Sequence, residues 1–314
     1  MSYIRKQNTN TILMIEPVAF YFNAETAKNN YFQEKPDEDS QKIQESALSE
    51  FNGMVEKLRN HGVNVITVKD TPTPHTPDSI FPNNWISTHA NAQVGLYPMY
   101  AENRRTERRE DILEFLEDNG FKIESIIDYS AAEKENVFLE GTGSIILDRV
   151  NAYAYAALSP RTNEDLFIEF CEDFEYSPVI FRANQTVNGE REAIYHTNVM
   201  MCVADTYAII CLDTIDDKKE KKNVTSTLKE TQKEIIEITE EQMYQFAGNM
   251  LQVEGKEGQK FLVMSQTAYD SLTQKQIEQI EKHNPIISVN IPTIEKLGGG
   301  SARCMMAEIF LPKA

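Results

Sequence analysis

At 314 residues, with 41% hydrophobic and 25% charged side chains, the chain has the length and composition of one large or two ordinary globular domains. Its formal net charge of −18, from 49 acidic against 31 basic residues, repels phosphate backbones and anionic lipid and so argues against nucleic-acid and membrane-surface partners. No run approaches the roughly 18 consecutive apolar residues of a membrane span. The N-terminal MSYIRKQNTNTILMIEP lacks a signal-peptide core and cleavage site, and both observations point to a cytoplasmic protein.

In chain order, Ile43, Leu48, Phe51, Val55 and Leu58 recur at helical spacing and predict a helix over 39–60, stopped at His61-Gly62. VNVITVKD reads as a strand, RTERREDILEFLEDNG as a second helix and FKIESII as the strand after it. GSIILDRVNAYAYAAL predicts a hairpin turning at Asp148 to Asn151. A third helix (NEDLFIEFCEDF), a strand (PVIFRA) and a second hairpin (HTNVMMCVADTYAIICLDTI) follow. Residues 224–247 read as a charged fourth helix, then come strands around NMLQVEG and KFLVMS, the helix SLTQKQIEQIEKHN, the strand PIISVNI and a terminal hairpin strand CMMAEIFL. The Pro-, Asp- and Ser-rich loops 33–41 and 71–80 read as surface connections, and DDKKEKK at 216–222 as a solvated turn. One helix-containing β unit thus recurs about five times, every 55 residues or so, which is the mark of a repeat or propeller architecture without an internal domain boundary.

Four cysteines are present. Cys171, Cys202 and Cys211 sit in apolar periodic stretches, the setting of an inert buried thiol, and no spacing fits a zinc site. Cys304 instead follows Leu297-Gly-Gly-Gly-Ser-Ala-Arg, where the backbone can approach a ligand closely. A nucleophilic thiol needs a base and a group to orient it. His61 and His283 fall at helix ends, His75 in a Pro-rich loop and His89 after a strand, whereas His196 opens a hairpin in YHTNVMM. Glu140 lies at the mouth of the other hairpin in FLEGTGSIIL, and Asp78, Asn83 and Asn84 lie in PDSIFPNNWIS.

The intervals join these residues. Asn84 to Glu140 is 56 residues, Glu140 to His196 is 56, His196 to Asn249 is 53 and Asn249 to Cys304 is 55. Each holds a similar place in its unit, so units set around an axis would bring them to one pocket. Taken singly, each has a plainer explanation: a strand-end His is usually structural, and Asn favours turns.

The ordered set PDSIFPNN, LEGTGS, YHTN and GGGSARC, spanning residues 78 to 304, resembles the pentein superfamily of guanidine-modifying enzymes, and most of all its citrulline-hydrolase and amidinotransferase-like branch, related to dimethylarginine hydrolases and arginine dihydrolases. The resemblance implies a single domain over 1–314 with the α/β fold of a five-bladed pseudo-symmetric propeller. It implies Cys304 as nucleophile, His196 as general acid/base and Glu140 as the carboxylate that binds His196 or a substrate nitrogen. Asp78, Asn83 and Asn84 match the loop that meets the substrate nitrogens. Arg104 (or Arg105) and Arg161 match arginines that grip a substrate carboxylate, a task suited to their planar fork. For Arg104 the plainer explanation is a surface charge at a helix start.

The implied reaction is cofactor-free hydrolysis at the guanidino or ureido carbon of a small arginine- or citrulline-like amino acid, by a protein that could be a homo-oligomer. Many family members that act on guanidinium cations carry a carboxylate where this chain has Asn84. An amide both donates and accepts, which suits a neutral urea and favours citrulline hydrolase or arginine dihydrolase over simple deiminase. The rivals are an amidinotransferase, which passes the same covalent intermediate to an amine, and a non-catalytic binding protein on the same scaffold.

Overall fold

The computed structural model describes residues 4–37 and 39–314. Among these, five three-stranded sheets share one topology: an antiparallel pair, then a third strand parallel to the second. A helical segment precedes each third strand. The first unit holds strands Ile86–Thr88 and Gln93–Leu96, helix Glu110–Asp118 and strand Ser125–Asp128. The second holds Ile146–Asp148, Tyr153–Ala157, helix Glu164–Asp173 and Ser177–Phe181. The third holds Met201–Val203, Tyr207–Ile210, helix Lys218–Glu230 and Glu234–Glu237. The fourth holds Leu251–Glu254, Lys260–Ser265, helices Gln266–Ser271 and Gln274–Glu281, and Ile286–Val289.

Both ends of the chain build the fifth unit. Its strand Ala307–Glu308 pairs antiparallel with Thr11–Glu16, which pairs in parallel with Asn64–Lys69 across the helix Ser40–Asn60. Successive residues of TILMIE face opposite sides, as the strand period of two requires. Ile12 and Met14 pack with Val253, Val263 and Ile287 of the fourth unit, whereas Leu13 and Ile15 pack with Trp85, Ile86 and Ile112 of the first. Tyr97 joins Leu147 and Phe170 between the first and second units, and a larger cluster runs from Tyr155 through Ile209 to Met264 across the second, third and fourth. Each unit therefore shares apolar core with its neighbours in cyclic order. No described helix is long and apolar enough to cross a membrane.

Several expectations are corrected. The second helix starts at Glu110, because Arg108 and Arg109 are extended and spend their guanidinium groups on Glu133, Asp70 and Asp111. The expected helix 224–247 ends at Glu230, since Gln232 is left-handed (φ 60°) and the β-branched run from Ile235 is drawn into the sheet beside Tyr207–Ile210. Its true start lies in the lysine-rich run, where the Asp217 side chain accepts from the Lys219 and Glu220 N–H groups and caps the helix. That run is solvated as expected, but it is helical rather than a turn. Of the loop 71–80, only the first half is exposed, and Thr76 to Ile80 are buried. The strand Thr11–Glu16, the hairpin Asn184–Val187 with Glu190–Ala193, and the helix Pro292–Gly298 lie outside the sequence reading.

The strand built from the chain's N-terminal end should be a keystone. Leu13→Ala empties a fully buried position between two units and is expected to cost about 2–5 kcal/mol. Urea unfolding checks this, and a loss under 1 kcal/mol would mean the first and fifth units are not held together there.

Candidate active site

Before the first strand of each unit the chain makes one tight turn, and these turns carry Asn84, Glu140, His196, Asn249 and Cys304. Asn84 closes the short helix Pro82–Asn84, while Glu140 and His196 immediately precede the one-turn helices Gly141–Ser144 and Thr197–Met200. His196 therefore does not open a hairpin strand as the sequence suggested; a helical turn intervenes, as one does between Glu140 and the hairpin whose mouth it was expected to occupy. Asn249 follows the turn 245–248, and Cys304 lies within the turn 302–305.

Contacts run from turn to turn. A Cβ on Gly143 would fall 2.8 Å from His196 Nδ1 and closer still to Asn84 Nδ2, so the bare glycine lets the first three turns meet. A Cβ on Gly248 would collide with the backbone of Val199 and Met200 in the same way, joining the third turn to the fourth. Asn249 Oδ1 accepts the Arg303 N–H (3.0 Å) on the fifth turn, and Cys304 packs in one cluster with Phe81, beside the first.

At this junction sits a buried charge network. His196 Nε2 lies 2.6 Å from Glu140 Oε2, Arg161 Nη1 lies 3.4 Å from the same oxygen, and the Tyr100 N–H donates to Glu140 Oε1 at 2.8 Å. Burial alone would raise the Glu140 carboxyl, but the charges of Arg161 and His196 and the His196 hydrogen bond outweigh it and hold it ionised well below the usual carboxylate range. For His196 burial dominates and pushes the imidazole down to about 4, against the pull of Glu140. A neutral imidazole bonded to a carboxylate through Nε2 carries its proton there, which leaves Nδ1 as the free base. Arg104 forms a second buried group: its Nε and Nη2 bond Glu107, and its Nη1 donates to Asn84 Oδ1 at 2.8 Å. That bond fixes the Asn84 amide with its NH2 toward Gly143. Arg105, by contrast, turns to Met99 and Glu133 and is partly exposed.

The Cys304 sulfur accepts from two amides, Asn198 Nδ2 at 3.3 Å and Asn249 Nδ2 at 3.2 Å. Five buried atoms around the junction have no partner: Asp78 Oδ1, both amide atoms of Asn83, Asn84 Nδ2 and Asn198 Oδ1. The segment after the first strand covers them. Asn23 and Thr26 donate to Asp78 Oδ2, the Thr26 carbonyl and Asn29 Oδ1 accept from Arg161, and Asn30 donates to the Gly298 and Gly299 carbonyls. A cavity of roughly 680 Å³ is lined by Glu25 and Lys28 of this segment together with Tyr100, Phe138 and Pro160.

The eight site residues expected from the sequence (Asp78, Asn83, Asn84, Arg104, Glu140, Arg161, His196 and Cys304) are all buried; hydrogen bonds link Asp78 and Asn84 to Arg104, and Glu140 to Arg161 and His196, the Asn83 carbonyl accepts from Thr142, and the Cys304 sulfur bonds Asn198 and Asn249. The remaining cysteines are buried with thiols pushed up to about 12 by burial, and His89 bonds Ser87 and stacks on Phe174. Sequence reasoning assigned no role to Asn198, Glu107, Tyr100 or the segment 23–30. Asn198 stood in the quoted motif YHTN; the covering segment carries no motif.

The depressed His196 sets a pH dependence. The unfolded chain protonates this imidazole near its ordinary 6.5, the folded protein only near 4, so the stability it brings is full above the unfolded value and is lost as pH falls between the two. Glu140 acts in the same direction at lower pH. Between pH 7 and 5 wild type should lose on the order of 2 kcal/mol through His196, a part that His196→Gln removes. Equal losses for both proteins in urea titrations at the two pH values would contradict a neutral buried imidazole.

A family model described as N,N dimethylarginine dimethylhydrolase, eukaryotic, matches residues 16–311. No curated protein matches the sequence. Among solved structures, ArgZ, an arginine dihydrolase from the ornithine–ammonia cycle in Cyanobacteria, superposes with a TM-score of 0.73 at 17% identity, over 97% of this chain and 41% of that one. Unliganded AgrE gives 0.72 at 18% identity, over 97% and 40%. A dimethylarginine hydrolase (DDAH) mutant from Pseudomonas aeruginosa, complexed with citrulline, gives 0.66 at 18% identity, over 96% and all of that chain. The chain spans about two-fifths of the length of ArgZ and AgrE, and at these identities the likeness establishes a common mixed α/β fold. With the family model running across nearly its whole length, the chain belongs to the N,N-dimethylarginine dimethylhydrolase family, within the guanidine-modifying superfamily that its motifs resemble.

Proposed function

We propose that the protein is a cysteine-dependent hydrolase that attacks the ureido or guanidino carbon of a free amino acid, with citrulline as its preferred substrate and ornithine, ammonia and carbon dioxide as products. The observation that supports this reading is the set of unpaired buried atoms on the turns, one of them on Asn198, whose amide bonds the Cys304 sulfur. It mixes acceptors (Asp78 Oδ1, Asn83 Oδ1, Asn198 Oδ1) with donors (Asn83 Nδ2, Asn84 Nδ2). A guanidinium offers only donors, whereas a ureido group offers N–H donors and a carbonyl acceptor and can answer both kinds. The five units are read as blades of a single-domain propeller whose axis passes through the junction, and the absence of a membrane-spanning helix among the described residues agrees with a cytoplasmic enzyme.

In the reaction, Cys304 gives its proton to the free nitrogen of His196 and the sulfur adds to the planar carbon. His196 then hands that proton to the departing nitrogen as the C–N bond breaks. With the leaving group gone, His196 takes a proton from water, whose oxygen bonds to the sulfur-bound carbon, and the C–S bond then breaks to free the thiolate. Citrulline leaves as ornithine and a carbamate, which falls to ammonia and carbon dioxide. Glu140 keeps the imidazole oriented throughout and balances its transient positive charge. Arg161, once the Asn29 and Thr26 oxygens give way, would grip the α-carboxylate.

Turnover should therefore fall on the order of 10³-fold or more in Cys304→Ser without loss of folding, while Ser at 171, 202 or 211 leaves substantial activity. Ornithine and ammonia assays on citrulline, arginine, methylated arginines and agmatine test this; a Cys304→Ser protein within tenfold of wild type rules out the nucleophile. Arg161→Ala should raise KM for citrulline and, because the same guanidinium bonds Glu140, also lower kcat. Agmatine, which has no carboxylate, should be a poor substrate, and brisk agmatine turnover by wild type would remove Arg161 from that role. Asn84→Asp should depress citrulline turnover relative to that of arginine, since a carboxylate favours the cation and repels a thiolate. The ratio of ornithine to citrulline formed from arginine measures the shift, and a wild type that stops at citrulline would mean that Asn84 does not select the urea.

A further inference from the structure

Two further buried arginines lie outside the charge network of the junction. Arg303 donates from Nη1 to the Met306 carbonyl at 2.8 Å and from Nη2 to Glu308 Oε2 at 3.0 Å. Arg149, on the hairpin turn of the second unit, approaches the same oxygen only to 3.7 Å. It reaches the Thr88 carbonyl at 3.5 Å and the Tyr176 hydroxyl, and lies 4.0 Å from the centre of the Phe310 ring. A guanidinium carries five N–H donors, so Arg149 is poorly served for a buried side chain. One carboxylate thus answers two cations, and burial pushes Arg303 down because desolvation outweighs the attraction of Glu308. Carboxylates on the surface make the chain acidic overall, but they are solvated and screened and do not answer a buried charge.

Both guanidinium groups line one cavity of about 20 Å³, walled also by Gln7, Thr142, Cys202 and Gln252. That is room for one body slightly larger than a water molecule. Two amides on its wall are already spent. Gln7 donates to the Leu147 and Val203 carbonyls and accepts the Arg149 N–H, and Gln252 accepts the Asp205 N–H and donates to Asn284. The Cys202 thiol, pushed up to about 12 by burial, stays neutral. Among the described residues the charged groups on the wall are Arg149, Arg303 and Glu308, two cations against one anion. Glu140, His196 and Cys304 do not line it. We propose that this cavity is a binding site for one small inorganic anion of halide size, held by the Arg149 and Arg303 guanidinium groups, with Glu308 as their shared counter-charge. The ion supplies the second negative charge and an acceptor for the N–H groups of Arg149. Arg303 precedes Cys304, and its backbone N–H bonds Asn249 Oδ1, so the ion also steadies the turn that carries the thiol. The site does not depend on the reaction proposed above.

Thermal unfolding in sodium chloride, compared with sodium gluconate at equal ionic strength, tests the site. Gluconate is too large for the cavity, and equal ionic strength removes general screening. Wild type should melt about 2 °C or more higher in chloride, and the gain should saturate with concentration. Arg149→Gln should lose this difference. Glu308→Gln, which removes the competing negative charge, should keep it and half-saturate at about tenfold lower chloride. Opposite responses of the two variants separate a bound ion from a general change in stability. Should Arg149→Gln not fold, Glu308→Gln and the anomalous signal of bromide in wild-type crystals grown from sodium bromide decide, with a peak expected between the two guanidinium groups. Equal melting of wild type in both salts, no bromide in this cavity, or variants that respond to chloride as wild type does would each overturn the site.

Discussion

A carboxylate with no solvent exposure is the constraint around which this molecule is arranged. Ionised Glu140 cannot stay in an apolar interior unless its lone pairs and charge are met, and breaking such a group by removing one partner typically costs about 3–5 kcal/mol. The partners come from three stretches of chain: His196 from the next unit, Arg161 from the loop after its own antiparallel strands and the Tyr100 N–H from the preceding unit. Satisfying one side chain therefore aligns neighbouring units. The same alignment leaves His196 neutral, with its Nε2 bonded to Glu140.

Close approach of the turns is the second requirement, and it explains the residue types at the junction. Gly143 sits where any side chain would strike His196 and Asn84, and Gly248 where it would strike the backbone beside Val199. Around these contacts the protein uses amides where it could have used carboxylates. Asn83, Asn84, Asn198 and Asn249 bring donors and acceptors without charge, while the full charges, Arg104 with Glu107 and Arg161 with Glu140, are paired among themselves. Burial raises Glu107 to about 7 even so, because Arg104 only partly offsets its desolvation. The Cys304 sulfur is thus met by two neutral amide donors, Asn198 and Asn249.

The apolar framework keeps this polar centre in register. Residues of Thr11–Glu16 divide by parity between the fourth and first units, so one strand ties the two halves of the cycle. The segment that follows it folds back over the junction and bonds Asp78 and Arg161. Chain ends, cover and Cys304 consequently belong to one mechanical unit: Cys304 lies three residues before the strand that pairs with Thr11–Glu16.

By itself the sequence determined the number and period of the units and singled out polar side chains that fold buried on their turns. Alternating and helical periodicities are local properties, and Glu140, His196 and Cys304 fall at matching points of units of nearly equal length. It did not determine where elements end when a long-range partner competes with local propensity. The stretch after Glu230 is helix-like in composition, but pairing with Tyr207–Ile210 buries Ile236 as a strand. Two residues beyond His196, Asn198 was given no role by the sequence, and its bond to a thiol 106 residues away, at 3.3 Å, exists only in the folded chain. Likewise nothing local marks Asn23, Thr26 and Asn29 as partners of Asp78 and Arg161. Repeats and chemically distinctive side chains are legible because they are written residue by residue, whereas donors and acceptors acquire partners only when distant backbone segments have packed.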